Sequence, residues 1–135
     1  MNYQSVLIVD DDSTTVFLLK LLMERTNFSG TVLAAPDGKQ ALDLVSQITC
    51  TGRTMPDLIF LDLNMPVMNG WEFLEAFDPL SSELAAAPKV VILSSTIDPI
   101  DISRAGNYPF VLRFISKPLT RTHLAELAAD ACGRA

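Results

Sequence analysis

Cysteine and histidine are scarce: the 135 residues include two Cys and one His. Cys50 and Cys132 lie far apart and share no metal-ligand or redox spacing, which argues against a disulfide framework or a zinc site. They read as two small buried or half-exposed thiols. Basic residues are also few, ten Lys plus Arg against sixteen Asp plus Glu, for a net charge of −6. No basic footprint is available to replace the counterions of a nucleic acid, so none is expected as a partner; a cation or a basic partner suits the acidic balance instead. No apolar run approaches the roughly 20 residues needed to cross a bilayer, and the polar N-terminus lacks the basic region of a secretory signal. A membrane is not an expected partner, and a cytoplasmic location is. No internal repeat or low-complexity tract is present, and the length suits one domain, expected over residues 1–135.

What the chain does have is a regular alternation of apolar runs and amphipathic stretches. Val6 to Val9 is a short branched run without period-2 alternation, which suits a strand covered on both faces, and it stops at Asp10-Asp11-Asp12. From Ser13, hydroxyl residues offer N-caps to a helix carrying Val16, Phe17, Leu19, Leu21 and Met23, ending near Glu24, Arg25 and Asn27. Thr31 to Ala35 reads as a second strand. Pro36-Asp37-Gly38 then opens a helix with Ala41, Leu42, Leu44, Val45 and Ile48 on its apolar face, and Thr49 to Pro56 reads as a loop.

Leu58 to Leu61 is a third strand, again ended by an aspartate, Asp62. Asn69-Gly70 reads as a turn before a helix with Trp71, Phe73, Leu74 and Phe77, the first three placed as core, and Asp78 to Pro88 as a connection whose Ala and Leu content allows a helical turn. Val90 to Leu93 is the fourth strand, running into Ser94-Ser95-Thr96. Asp98-Pro99 opens a short fourth helix that ends near Gly106-Asn107. Phe110 to Ile115 is the fifth strand, stopped by Lys117-Pro118; Thr120 caps a last helix with Leu124, Leu127, Ala128 and Ala131 inward. His123 in that helix has no ligand-spaced neighbour and is placed in solvent. Five strand–helix units imply right-handed crossovers and an α/β fold, a parallel sheet with helices on both faces.

Ligands of such a sheet sit beyond the carboxyl ends of its strands. There the sequence gathers Asp10, Asp11 and Asp12, then Asp62, then Ser94 and Ser95, then Ser116 and Lys117. Crowded carboxylates raise one another's pKa and call for a counter-charge. A hard cation such as Mg²⁺ supplies it, prefers oxygen ligands and keeps waters that a phosphate can displace. Lys117 suits a phosphoryl oxygen as a point charge and Ser94 as a hydrogen-bond donor. Such parts fit phosphoryl transfer with an aspartate as nucleophile.

Leu7-Ile8-Val9-Asp10-Asp11, Asp62-Leu63-Asn64-Met65-Pro66 through Asn69-Gly70, Ser94-Ser95 and Lys117-Pro118, in this order, resemble a two-component response-regulator receiver domain. The resemblance covers essentially the whole chain. It implies a flavodoxin-like, doubly wound fold with five parallel strands in the order 2-1-3-4-5. It makes Asp62 the phosphoacceptor, and Asp10, Asp11, Asp62 and the backbone carbonyl of Asn64 the ligands of Mg²⁺. Ser94 is then the switch hydroxyl, Lys117 the partner of the phosphoryl group, and Phe114 the aromatic that rotates on activation. The donor is expected to be a histidine kinase or a histidine phosphotransfer protein, and the output an affinity change for a partner protein through roughly residues 98–131. Ser94 stands where many receivers have Thr, and Phe114 lacks a phenolic hydroxyl. Asp12 adds a third carboxylate that either tunes metal affinity or faces water, and the second reading is preferred. With the last helix ending near Ala135, a free-standing receiver without an output domain, or one excised from a larger protein, is expected.

Other classes fit less well. Asp10-Asp11-Asp12-Ser13 also resembles the nucleophile motif of haloacid-dehalogenase-type phosphatases, but that family needs acids for its metal downstream of the lysine, and past Lys117 only Glu126 and Asp130 remain, both on a predicted helix. A pure interaction module would not need the full acid, hydroxyl and lysine set. Flavin binding would need a loop rich in Gly, Ser and Thr after the first strand. The chain is therefore expected to be no enzyme beyond assisting its own phosphorylation and dephosphorylation.

Overall fold

Val6, Leu7, Ile8 and Val9 are all fully buried, as a strand without alternation requires when helices cover both of its faces. The computed structural model describes residues 3–51, 55–65, 68–84, 87–95 and 98–132. Its elements run β1 (Tyr3–Val9), α1 (Ser13–Arg25), β2 (Ser29–Ala35), α2 (Gly38–Thr51), β3 (Leu58–Asp62), α3 (Gly70–Glu83), β4 (Lys89–Ser94), α4 (Pro99–Ala105), β5 (Val111–Ser116) and α5 (Arg121–Cys132). All strand pairs are parallel and the order is β2-β1-β3-β4-β5. The flavodoxin-like arrangement expected from the sequence is the one observed.

Two apolar layers flank the sheet. Leu7, Val9, Ile59, Leu61, Val90 and Ile92 pack against Ala41 and Val45 of α2, Phe73, Leu74 and Phe77 of α3 and Ala105 of α4. Val6, Ile8, Leu58, Phe60, Val91 and Leu93 turn the other way, onto Leu19 and Met23 of α1 and Leu124 and Leu127 of α5. Aromatic rings stiffen each layer: Phe77 meets Phe110 edge-on at 5.2 Å, and Phe28 lies between Tyr3 and Phe60. The Tyr3 hydroxyl donates to the Leu127 carbonyl at 2.8 Å, tying β1 to α5.

Several local expectations need correction. The N-cap of α1 is Asp12 rather than a hydroxyl residue, its carboxylate accepting from the Thr14 N–H at 3.0 Å and the Thr15 hydroxyl at 2.9 Å. Helix α2 continues to Thr51, into the stretch read as loop, and Thr51 and Thr49 turn their hydroxyls back onto carbonyls one turn earlier. Asn69-Gly70 is the start of α3: Asn69 and Glu72 form a reciprocal capping box. Helix α3 also runs through Pro79 to Glu83. A proline inside a helix forfeits one backbone bond. Here the turns before it are already anchored by buried Phe73, Leu74 and Phe77, the ring is exposed, and the hydroxyls of Ser81 and Ser82 cap the carbonyls of Asp78 and Pro79. His123 is only half exposed. Its Nδ1 accepts the Thr120 N–H at 3.1 Å while the Thr120 hydroxyl accepts the His123 N–H, so the ring does the work Glu does in a capping box.

Candidate functional site

Strand register assembles the site. Val9 pairs with Leu61, so the residues that follow, Asp10 and Asp62, leave neighbouring strands side by side. Asp62 pairs with Leu93, which sets Ser94 one position beyond it, and Ser94 pairs with Ser116, which delivers Lys117. Helix α1, which leaves β1, and helix α3, which leaves β3, pack on opposite faces of the sheet, so the β1–β3 pair is the topological switch point at which open α/β sheets bind ligands.

Within this crevice the Lys117 ammonium lies 3.0 Å from the Asp10 carboxylate and 3.4 Å from that of Asp62. Both acids are almost wholly buried, whereas Asp11 reaches solvent. Each of Asp10, Asp11 and Asp62 offers an oxygen within 4.8 Å of the others. Asp10 is aimed by its second oxygen, which accepts the Asp12 N–H at 2.9 Å. Asp62 receives the Asn64 N–H at 3.4 Å.

Electrostatics distinguish the two cationic and anionic partners. Burial is the largest influence on Asp62 and raises its pKa; Lys117 pulls it down, Asp10 pushes it up, and the balance stays above the ordinary carboxylate value. For Lys117, burial alone would lower the pKa. The hydrogen bond and charge of Asp10, with the charge of Asp62, more than offset that, so the amine is held protonated. The crevice thus has one fixed cation facing a carboxylate set with spare negative charge.

Asp12 points away from this set. The Thr15 hydroxyl and the Thr14 N–H hold its pKa down, and its role is that of a helix cap. Ser94 is buried, and its carbonyl accepts the Lys117 N–H at 2.8 Å, tying the end of β4 to the β5–α5 loop. The Lys117-Pro118 peptide in that loop is cis. Phe114 is half-buried opposite Ile92, on the α3–α4 side of the sheet. Asn64 is exposed. Pro66 and Thr96, two residues of the motifs above, lie outside the described residues. Trp71 packs on the core as expected and also carries Arg104 of α4 over its ring at 4.3 Å. Glu126 and Asp130, the acids a phosphatase reading would need, are instead bound by Arg113 at 3.3 and 2.9 Å.

Two glycines beside the site, Gly70 of the quoted motif and Gly38, make contacts to which the sequence reading assigned no role. A Cβ on Gly70 would lie 2.8 Å from the Asp62 carbonyl and 2.8 Å from Leu63 Cα, so α3 starts directly against the backbone of Asp62. Gly38 approaches Met68 in the same loop. Asn69-Gly70 in front of Glu72 was the available signal for the first; no local pattern announces the second.

The family model for the response regulator receiver domain matches residues 6–129. The chain belongs to that family. Its relatives agree: it is 35% identical over 116 residues to a protein of Methanothrix harundinacea named "Probable methanogenesis regulatory protein FilR2", covering 85% of this chain and 72% of the relative. It is 30% identical to protein-glutamate methylesterase/protein-glutamine glutaminase 5 of Myxococcus xanthus over 93% of this chain but 34% of that protein, so it spans about a third of the larger relative. Among solved structures, a two component response regulator from Cytophaga hutchinsonii superposes with a TM-score of 0.85 at 30% identity, covering 98% of each chain. This is therefore the receiver domain of a two-component response regulator. No helix among the described residues is long and apolar enough to cross a membrane.

Proposed function

We propose that this receiver accepts a phosphoryl group on Asp62 from the phosphohistidine of a histidine kinase or histidine phosphotransfer protein, in a reaction that depends on Mg²⁺, in the cytoplasm. The observation that carries the reading is the Lys117 ammonium lodged between Asp10 and Asp62 while Asp11 completes a three-carboxylate cluster open to solvent. The oxygen-only donor set fits a hard cation held by Asp10, Asp11, Asp62 and the Asn64 carbonyl. When bound, Mg²⁺ offsets negative charge on the carboxylates and on the transferred phosphoryl oxygens.

A carboxylate oxygen of Asp62 attacks phosphorus, the P–N bond to the donor imidazole breaks, and the bond's electron pair leaves with the imidazole. The product is an acyl phosphate. Lys117 gives up part of its contact with Asp62 and binds a phosphoryl oxygen. Ser94 donates to another oxygen, and Phe114 moves into the space the Ser94 segment vacates. The output surface then lies over roughly residues 98–131, where it meets a partner protein; the phosphoryl group shifts this equilibrium only by binding the active arrangement better. Beyond assisting its own phosphorylation and hydrolysis the domain turns over no substrate.

Amide exchange with Mg²⁺, with and without beryllofluoride as a phosphoryl mimic, tests this. Protection should change around Ser94 and from α4 to α5, and much less in Ser94→Ala. Changes confined to α1 and α2, or an undiminished response in Ser94→Ala, would contradict it.

A further inference from the structure

Gly38 is the first residue of α2 and belongs to none of the site motifs, yet it touches the loop that leaves β3. Its N–H donates to the Met68 carbonyl at 3.3 Å. A Cβ at this position would lie 3.0 Å from the same carbonyl oxygen, 3.0 Å from Met68 Cγ and 3.2 Å from Met68 Sδ. The backbone of Gly38 is not left-handed, so conformation does not call for glycine. Alanine is also the better helix former. Space against Met68 is the remaining reason.

The two parts of Met68 respond differently to crowding. Its thioether chain has three rotatable bonds and can move aside. Its carbonyl cannot move without carrying the loop backbone. That loop is closed at its base by Gly70 N–H donating to the Leu63 carbonyl at 3.0 Å. From Met68 the chain passes through Asn69 to Gly70, whose Cβ position is 2.8 Å from the Asp62 carbonyl and from Leu63 Cα. A displaced Met68 carbonyl therefore presses through Asn69 and Gly70 on the end of β3, where the Asn64 N–H reaches Asp62 at a long 3.4 Å.

We propose that Gly38 is a positioning residue for phosphoryl acceptance: the side-chain-free start of α2 seats the Met68 carbonyl and so holds Asn69 and Gly70 against the backbone of Asp62 and Leu63, which aims the Asp62 carboxylate. This rests on the assignment of Asp62 as phosphoacceptor. Since ångström-scale misplacement in an active site costs about a hundredfold, Gly38→Ala should slow labelling of Asp62 by acetyl phosphate roughly three- to tenfold and weaken Mg²⁺ binding. Its urea midpoint should be unchanged or higher. Met68→Ala keeps the carbonyl and loses Cγ and Sδ; it should lower the urea midpoint and label at the wild-type rate. In the wild-type protein the Gly38 amide resonance should shift on addition of Mg²⁺ while that of Gly30 in β2 does not. A wild-type labelling rate in Gly38→Ala, equal slowing in Met68→Ala, or a Gly38 amide indifferent to Mg²⁺ would each overturn the inference. Failure of the wild-type protein to label at Asp62 would instead overturn the assignment beneath it.

Discussion

Asp62→Asn should make the metal-free protein more stable at neutral pH. At an effective dielectric of about 20, Lys117 at 3.4 Å attracts the Asp62 carboxylate by about 5 kcal/mol, and Asp10, no farther than 4.8 Å, repels it by about 3.5 kcal/mol or more. Asp11 in the same cluster adds repulsion, so the surrounding charges give the Asp62 carboxylate no net stabilisation, and burial, the largest influence, adds to the cost. That is why the pKa of Asp62 is raised: the folded state prefers the neutral carboxyl. A raised folded pKa means that stability is full below the ordinary value of 3.8 and is lost as pH rises through the folded value. Asparagine keeps the shape and an acceptor for Asn64 while removing the charge. The expected gain is on the order of 1 kcal/mol, as is common when a functional site is relieved of its strain, or about 3–5 °C in melting temperature for a domain of this size. Urea unfolding without metal should show the gap widen as pH rises above about 4. Mg²⁺ should then narrow or reverse it, because under the proposed ligand set the wild type has one more carboxylate to offer the cation. A less stable Asp62→Asn at pH 7 without metal, or a gap independent of pH, would refute the electrostatic reasoning.

Lys117→Ala leaves two buried carboxylates without their cation. Such a loss costs about 3–5 kcal/mol when fully buried, and since the lysine side chain is 23% exposed, about 2–3 kcal/mol is expected in urea unfolding at pH 7. The gap should close in acid as the carboxylates protonate, and in wild type the lysine's contribution, present below its ordinary 10.5, should disappear as pH rises through its still higher folded value. Asp12→Ala should lower stability above the ordinary carboxylate pKa, with the difference fading as pH falls, yet leave Mg²⁺ affinity in a titration unchanged. Gly70→Ala drives a methyl group against the backbone of Asp62 and Leu63; it should cost about 1–3 kcal/mol in thermal unfolding and also slow labelling of Asp62.

The fold was legible because strand burial and helix amphipathicity are local patterns. Val6–Val9 and Leu58–Leu61 announced themselves as strands covered on both faces, and the acids after each fell at the same edge. Lys117 was legible for the same reason, being the first polar cation after the fifth apolar run. Local chemistry of competing kinds misled at the helix ends. Pro79 argued for a break, but long-range burial of Phe73 and Phe77 outweighed one lost backbone bond. Asn69-Gly70 has the composition of a turn, and only Glu72 behind it reveals the capping box. Asp12 joined the acidic run on paper although the start of α1 turns its carboxylate toward Thr14 and Thr15. The contact of Gly38 with Met68 joins residues thirty positions apart and has no signature in either neighbourhood.

Phosphorylation chemistry at a single carboxylate tests the central claim most directly. The protein is incubated with acetyl phosphate and Mg²⁺, and the phosphorylated residue is mapped by mass spectrometry after borohydride trapping. One hydroxylamine-sensitive phosphoryl group on Asp62 is expected, dependent on Mg²⁺ and absent from Asp62→Asn. Label on Asp10, label that persists in Asp62→Asn, or labelling indifferent to Mg²⁺ would contradict the account.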